Sequence, residues 1–267
     1  MQDLLTDARL PWVIFTLEDS KFAVASTFVK SMVLTPDCAE IPHTDESIRG
    51  IFQFRNVSTP LIDLRTRLGM QSRLAEATEF SEMLSAREQD HKNWLHELEA
   101  SVNERREFRL ATDPHKCAFG RWYDSFVTTS FATRSLVEKF AEPHQKIHKI
   151  AAKVRAAVDD GNIEGAKQII EICRQRELSE LIRAFAEAKD HFQSTHRETT
   201  IVLERADKYL SIAVDTVLTV ETIRPFFDDN LQRDLLNFDD NSVIHCLAKH
   251  GRSEEVVFVI NHDRLIG

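Results

Sequence analysis

Apolar and polar positions change rhythm twice along the chain, dividing it into three. Over about the first seventy residues, short apolar segments between polar turns predict strands. Val13 to Leu17 and Phe22 to Ala25 flank the polar turn Glu18-Asp19-Ser20-Lys21, and Gly50 to Phe54 and Pro60 to Leu64 follow. The last part reads the same way: Thr200 to Leu203, the polar Arg205-Ala206-Asp207-Lys208, Tyr209 to Val214, Val217 to Glu221 and Val256 to Ile260. Between Ser72 and His196 only Pro114 and Pro143 interrupt a run rich in Ala, Glu, Arg, Lys, Gln and Leu, so this middle is predicted helical. Breaks at Asp113-Pro114, Glu142-Pro143 and Asp159-Asp160-Gly161-Asn162 cut it into four helices. The first and last, roughly 72 to 111 and 162 to 197, each reach about 55 Å at 1.5 Å per residue and can run antiparallel along a bundle.

A helical block whose ends lie close together can be accommodated in a surface loop of another domain. The expected organisation is therefore a discontinuous β domain, residues 1–70 and 199–267, interrupted by a helical bundle over 71–198. A loose internal repeat supports joining the outer parts. Leu17-Glu18-Asp19-Ser20-Lys21-Phe22 recurs as Leu203-Glu204-Arg205-Ala206-Asp207-Lys208-Tyr209, and Leu61-Ile62-Asp63 through Leu68-Gly69 is echoed by Val259-Ile260-Asn261 through Ile266-Gly267. Two small related barrels would produce this pattern, and so would chance likeness between short strands.

Composition narrows the function classes. With 267 residues, 42% hydrophobic and 29% charged, the chain can bury a sizeable core. A formal net charge of −9 without a long basic run argues against nucleic acid and anionic membrane surfaces as partners. No apolar run approaches the roughly 20 residues that span a bilayer. The acidic start Met1-Gln2-Asp3-Leu4-Leu5-Thr6-Asp7 lacks the features of an export signal, so a cytosolic location is expected. Four cysteines in a reducing compartment suggest a metal ligand or reactive thiol rather than a disulfide framework. Glycine-rich phosphate loops and nucleophile elbows are absent.

The chemistry-bearing residues fall in the helical middle. His91 lies in the apolar seam Leu84, His91, Leu95, Leu98, Val102, which marks an inward face. His144 and His148, four residues apart just after Pro143, project from one helix face, which Ile147, Ala151 and Val154 continue as an apolar surface. Cys117 is placed at a helix start, where a thiol pKa is expected to be lowered. Three histidines and one cysteine would form a closed tetrahedral site suited to Zn²⁺. Taken singly, His91 also reads as a hydrogen-bonded core histidine and Cys117 as a small buried hydrophobe. His96 and His115 read as surface residues, His191 and His196 sit late in the last helix, and Cys38, Cys173 and Cys246 lack ligand-like spacing.

Two family resemblances follow. The stretch from Ile48-Arg49-Gly50-Ile51 through Pro60-Leu61-Ile62-Asp63-Leu64 to Leu68-Gly69, with Ser211-Ile212-Ala213-Val214-Asp215-Thr216-Val217, resembles CheW-like chemotaxis coupling domains. This implies an α+β fold: a CheW-like pair of SH3-like β-barrels with an inserted antiparallel four-helix bundle. It also implies an adaptor, without chemistry of its own, that links chemoreceptors to a CheA-like histidine kinase. The family's partner-contacting arginine corresponds to Arg55, although Gln53-Phe54 replaces its Asn-Leu pair and Asn56 its glycine. A solvated turn arginine is the plain alternative.

The second resemblance is to the CZB, or chemoreceptor zinc-binding, domain. Its motif parts match His91-Lys92-Asn93-Trp94, Cys117-Ala118-Phe119-Gly120-Arg121-Trp122 and His144-Gln145-Lys146-Ile147-His148. It implies zinc held by His91, Cys117, His144 and His148, flanked by Trp94 and Trp122, with Cys117 as the redox-sensing residue and zinc or an oxidant such as hypochlorite as the stimulus. A constitutive scaffold with purely structural zinc is the alternative, and a homodimer through the helical bundle is compatible with either reading. A zinc hydrolase is disfavoured, because four protein ligands leave no open position and Gln145 stands where H-E-x-x-H needs Glu.

Overall fold

Leu17 pairs with Ser20 across the two-residue turn Glu18-Asp19, and Glu18 takes a positive φ of 51° to close it. The polar turn is thus tighter than the four residues expected from sequence. In the computed structural model, which describes residues 5, 7–128, 131–205, 208–226, 242–250 and 255–265, ten strands form two sheets.

Strands β1 (Pro11–Leu17), β2 (Ser20–Ala25), β3 (Val29–Leu34), β4 (Ile48–Phe54) and β5 (Val57–Asp63) lead into the short helix α1 (Leu64–Arg67). After the helical segment come β6 (Thr199–Arg205), β7 (Lys208–Val214), β8 (Thr216–Phe226), β9 (Ile244–His250) and β10 (Val256–Ile260). One sheet closes as a barrel in the order β1-β2-β10-β9-β8, and the other runs β3-β6-β7-β5-β4. Each contains an antiparallel hairpin, β1–β2 or β6–β7, whose second strand pairs in parallel with β10 or β5. In the second sheet Ala39 exchanges two backbone hydrogen bonds with Ile51 on the outer edge of β4, at 2.8 and 2.9 Å. These are the paired SH3-like sheets of an α+β chain with a helical insertion.

The loose repeat acquires a physical basis. Its first element spans the β1–β2 turn and recurs across β6–β7, where Ala206 and Asp207 lie outside the described residues. Its second ends each parallel strand in a side-chain cap: Asp63 accepts from Thr66 N–H, and Asn261 from Asp263 N–H, each at 3.1 Å. Ile266 and Gly267, like Met1 to Leu4 and Thr6, lie outside the described residues.

A shared core joins Phe15, Leu17, Phe22, Ile62, Ile201 and Ile212 from both sheets, while Trp12, Ile14, Cys246 and Val259 fill the closed barrel. Trp12-Val13-Ile14-Phe15 is buried without a break, so a strand covered on both faces reads as a continuous apolar run. Two strands were not expected. β3 exposes Met32 and Leu34, so structural alternation is not mirrored in hydrophobicity. β9, Ile244-His245-Cys246-Leu247-Ala248-Lys249-His250, has weak strand propensity and is held by β10 and β8 on either side.

Asp215, at the end of β7, is the polar hub of this unit. It is 4% exposed, accepts from Arg65 Nε at 2.8 Å and again from Arg65 Nη2, takes the Glu18 N–H at 2.8 Å and lies 3.1 Å from Arg73 Nη1. Arg65 is itself buried.

The residues group into two compact units, Met1–Glu76 with His196–Gly267, and Ala77–Thr195. The helical elements are α2 (Arg73–Asn103), whose first turn groups with the β unit, α3 (Ala118–Ser125), α4 (Phe131–Glu138), α5 (Ala141–Asp159), α6 (Ile163–Cys173) and α7 (Ser179–Thr195). α2 stops short of the expected residue 111. Arg105 takes φ 55°, Arg106 N–H bonds Ser101 O and Arg105 N–H bonds Val102 O, a Schellman end without its usual glycine. The expected second helix is two short ones, because Phe126 turns extended and a β-branched run, Val127-Thr128-Thr129, follows. A five-residue π-turn, Arg174–Leu178, separates α6 from α7 in the expected fourth helix. No helix among the described residues is long and apolar enough to cross a membrane.

Substituting Asp215→Ala would take away the one buried carboxylate facing Arg65 and leave its guanidinium with only the half-exposed Glu76 at 3.0 Å and the exposed Glu18 at 3.8 Å. The expected loss is about 3–5 kcal/mol of unfolding free energy, measured by urea denaturation; a loss below about 1 kcal/mol would show that the hub is structurally idle.

Candidate metal centre

The sequence seam on α2 is buried throughout: Leu84 at 0%, His91 at 3%, Leu95 at 1%, Leu98 at 2% and Val102 at 4% exposure. Within it the His91 ring is oriented by its own helix. Nδ1–H donates to the Arg87 carbonyl at 2.7 Å, because a carbonyl can only accept, and this leaves the Nε2 lone pair free. Nε2 is buried and has no hydrogen-bond partner.

Cys117 is the N-cap of α3, where its Sγ accepts the Gly120 N–H at 3.1 Å. The position depends on glycine at 120. A Cβ there would lie 1.8 Å from the Pro114 carbonyl oxygen and 2.9 Å from its carbon, so only the bare backbone lets the helix start pack on the turn before it. Cys117 Sγ also lies 3.2 Å from His144 Nε2.

His144 and His148 stand one turn apart on the buried face of α5 with Ile147, Ala151 and Val154. Their ring centroids are 4.8 Å apart, and the His91 ring is 5.0 Å from His144 and 5.8 Å from His148. One ligand atom from each of His91, Cys117, His144 and His148 falls within 4.8 Å of the others. Donors on a tetrahedral ion at about 2.0–2.3 Å stand roughly 3.3–3.7 Å from one another, so modest side-chain shifts would close this set around one ion. Phe119 meets His144 and His91 edge-on at 4.8 and 5.7 Å, and Trp94 lies 5.0 Å from His148.

Burial and mutual proximity set the charge state. Burial, then the charges of His91 and His148, lower His144 to about 3. Burial, then His91, lowers His148 to about 4 against the opposing Ala111 carbonyl and Asp113. Burial also lowers His91. For Cys117 the helix-start expectation is corrected. The N–H groups of Gly120 and Phe119 and the charges of Arg121 and Arg87 do favour thiolate, but burial outweighs them and raises the thiol pKa. At neutral pH the four donors are uncharged: three imidazoles with open lone pairs and a thiol with one proton to lose. Orphaned Nε2 atoms on the buried His91 and His148, with a sulfur beside them, fit a borderline-soft divalent cation such as Zn²⁺.

The other sequence candidates lie apart from this group. His96 and His115 are exposed, and His115 Nδ1 is 2.9 Å from Asp124. His191 and His196 are half-buried late in the helical segment; Cys173 and Cys246 are buried, and burial pushes both up to about 12. Cys38 sits 3.6 Å from the Pro36 carbonyl. Arg55 occupies the exposed tip of the β4–β5 hairpin, where it and Asn56 take φ 48° and 64°, the signature of a tight turn, and its guanidinium lies 5.1 Å over the Phe54 ring. Sequence reasoning missed the Arg87 carbonyl that orients His91. Gly120 stands in the motif, but the steric reason for it is visible only with Pro114 in space.

Residues 91–155 match the family model described as chemoreceptor zinc-binding domain, and residues 11–91 match that of the CheW-like domain. No curated protein matches the chain. Among solved structures it is similar to the scaffolding protein TtCheW from Thermoanaerobacter tengcongensis, at 13% identity, covering 96% of this chain and 87% of that one, with a TM-score of 0.42.

The charge balance gives the metal-free protein a pH dependence. The unfolded chain takes up histidine protons near the ordinary 6.5, whereas folded His144 and His148 resist protonation down to about 3 and about 4. Stability present above about pH 6.5 should therefore drain away as pH falls toward those values. Chelator-treated protein should melt at a lower temperature at about pH 5 than at about pH 7 by far-UV circular dichroism; equal midpoints would contradict the burial of uncharged imidazoles.

Proposed function

We propose that this chain, which joins a CheW-like domain to a chemoreceptor zinc-binding domain, is a cytosolic adaptor coupling chemoreceptors to a histidine kinase. Its coupling responds to the state of a zinc site made by His91, Cys117, His144 and His148. The observation that carries this reading is the convergence of those four donors, otherwise unrelated in sequence, on one buried point.

The adaptor role belongs to the β unit, whose work is contact. Arg55, exposed at the tight turn between β4 and β5, is the side chain assigned to partner contact. The sensing role belongs to the helical unit. When bound, zinc ties three helical elements together and stabilises Cys117 as thiolate. Cys117 is the half-buried member of a group whose three histidines are buried, so the sulfur is the donor an oxidant meets first. Oxidation to sulfenic acid and beyond removes the soft ligand and releases one tie. The apolar core of the helical unit extends beyond the site through Leu84, Phe140, Ile170 and Leu181, which supports a unit that outlasts its metal rather than one stapled by it.

Wild type should purify with about one zinc per chain, and Cys117→Ala should lose metal and change receptor-to-kinase coupling; unchanged zinc content together with unchanged coupling would end the proposal. Chelation should leave most helical circular dichroism in place, whereas collapse would favour a constitutive scaffold with structural zinc. Separately, Arg55→Glu should lower kinase coupling while leaving zinc content intact.

A further inference from the structure

We infer that Trp94 is a positioning residue of the metal centre: its indole N–H holds the 104–116 segment so that Cys117 is delivered to the three histidines. The inference rests on the zinc-site reading above.

Cys117 hangs at the end of thirteen residues, 104–116, that contain neither helix nor strand. A chain of that kind would make the thiol a costly ligand, since each residue fixed only on binding charges its conformational entropy to the affinity. The segment is tied to α2 at its start and folded into a local turn at its finish. At its start Arg106 pairs with Glu97 and Glu104, and at its finish Lys116 N–H bonds Asp113 O while Asp113 Oδ1 takes the His115 N–H. Its middle is held by Trp94. Nε1–H donates to the Ala111 carbonyl at 2.9 Å, and Phe108 meets the indole edge-on at 5.1 Å. The opposite duty falls to the same ring, which packs 5.0 Å from His148. One side chain, 6% exposed and one turn beyond His91 on α2, thus touches both a ligand and the loop that brings another.

The geometry separates positioning from plain stability. Trp94→Phe keeps an aromatic ring against His148 and Phe108 and deletes the N–H. Ala111 is exposed, so its carbonyl can turn to water, and the loss should appear in Cys117 delivery rather than in folding.

The test measures Zn²⁺ affinity of the full chain by competition with a chromophoric chelator, in wild type, Trp94→Phe, Cys117→Ala and the double variant. Supporting partners commonly contribute about 10- to 100-fold to metal affinity. Trp94→Phe should weaken zinc about tenfold when Cys117 is present and by clearly less when it is absent, where only the Ala111 carbonyl facing His148 is disturbed. Equal weakening in both backgrounds, or no weakening with Cys117, would overturn the inference while leaving the site intact. If Cys117→Ala binds as tightly as wild type, the site reading itself fails. Should Trp94→Phe lose its helical signal, Phe108→Ala probes the contact from the loop side. The same Cys117-dependent weakening is expected from it, and a Cys117-independent or absent effect counts against the inference equally.

Discussion

Uncharged donors held at close quarters inside an apolar helical core are the constraint around which the middle of this chain is built. Three imidazoles and a thiol crowd together with few hydrogen bonds of their own to spend. Such a group is tolerable because burial keeps every member neutral, and useful for the same reason: lone pairs aimed inward are free for a cation near neutral pH. The surrounding aromatic rings set both conditions, excluding water and limiting the ways the imidazoles can turn.

The sulfur obeys a different balance from the one its helix position suggests. Two backbone N–H groups and two arginines act to ionise it, yet desolvation prevails. Any thiolate character would therefore have to come from a bound cation, because the protein alone does not supply it. A sulfur held this way stays a protonated thiol while the site is empty and would be a thiolate only with a cation beside it.

The inward faces of the helices were legible from period alone: Leu84, His91, Leu95, Leu98 and Val102 are all buried. So were the strands sealed on two faces, where apolar runs are continuous. What escaped was structure whose cause lies elsewhere in the chain. α2 ends at a left-handed Arg105 instead of a glycine, β9 owes its form to two neighbours, and the π-turn after Cys173 has no local marker. The candidate site shows the same division. Its four donors carry their spacing in the sequence, whereas the Pro114 carbonyl that forbids a side chain at 120 and the Ala111 carbonyl under Trp94 are backbone groups, invisible until folded.

The two sheets share one strand order, but they differ in how the chain threads them. In one, the parallel strand β5 comes first and the whole helical segment separates it from its hairpin β6–β7; in the other, the hairpin β1–β2 comes first and its parallel strand β10 follows. Sheet architecture evidently makes no demand on that order. A sheet that forms with its hairpin either before or after the parallel strand does not depend on a short link between the two, which makes the β5–β6 junction a natural port where cargo of any kind could be spliced in at small entropic cost.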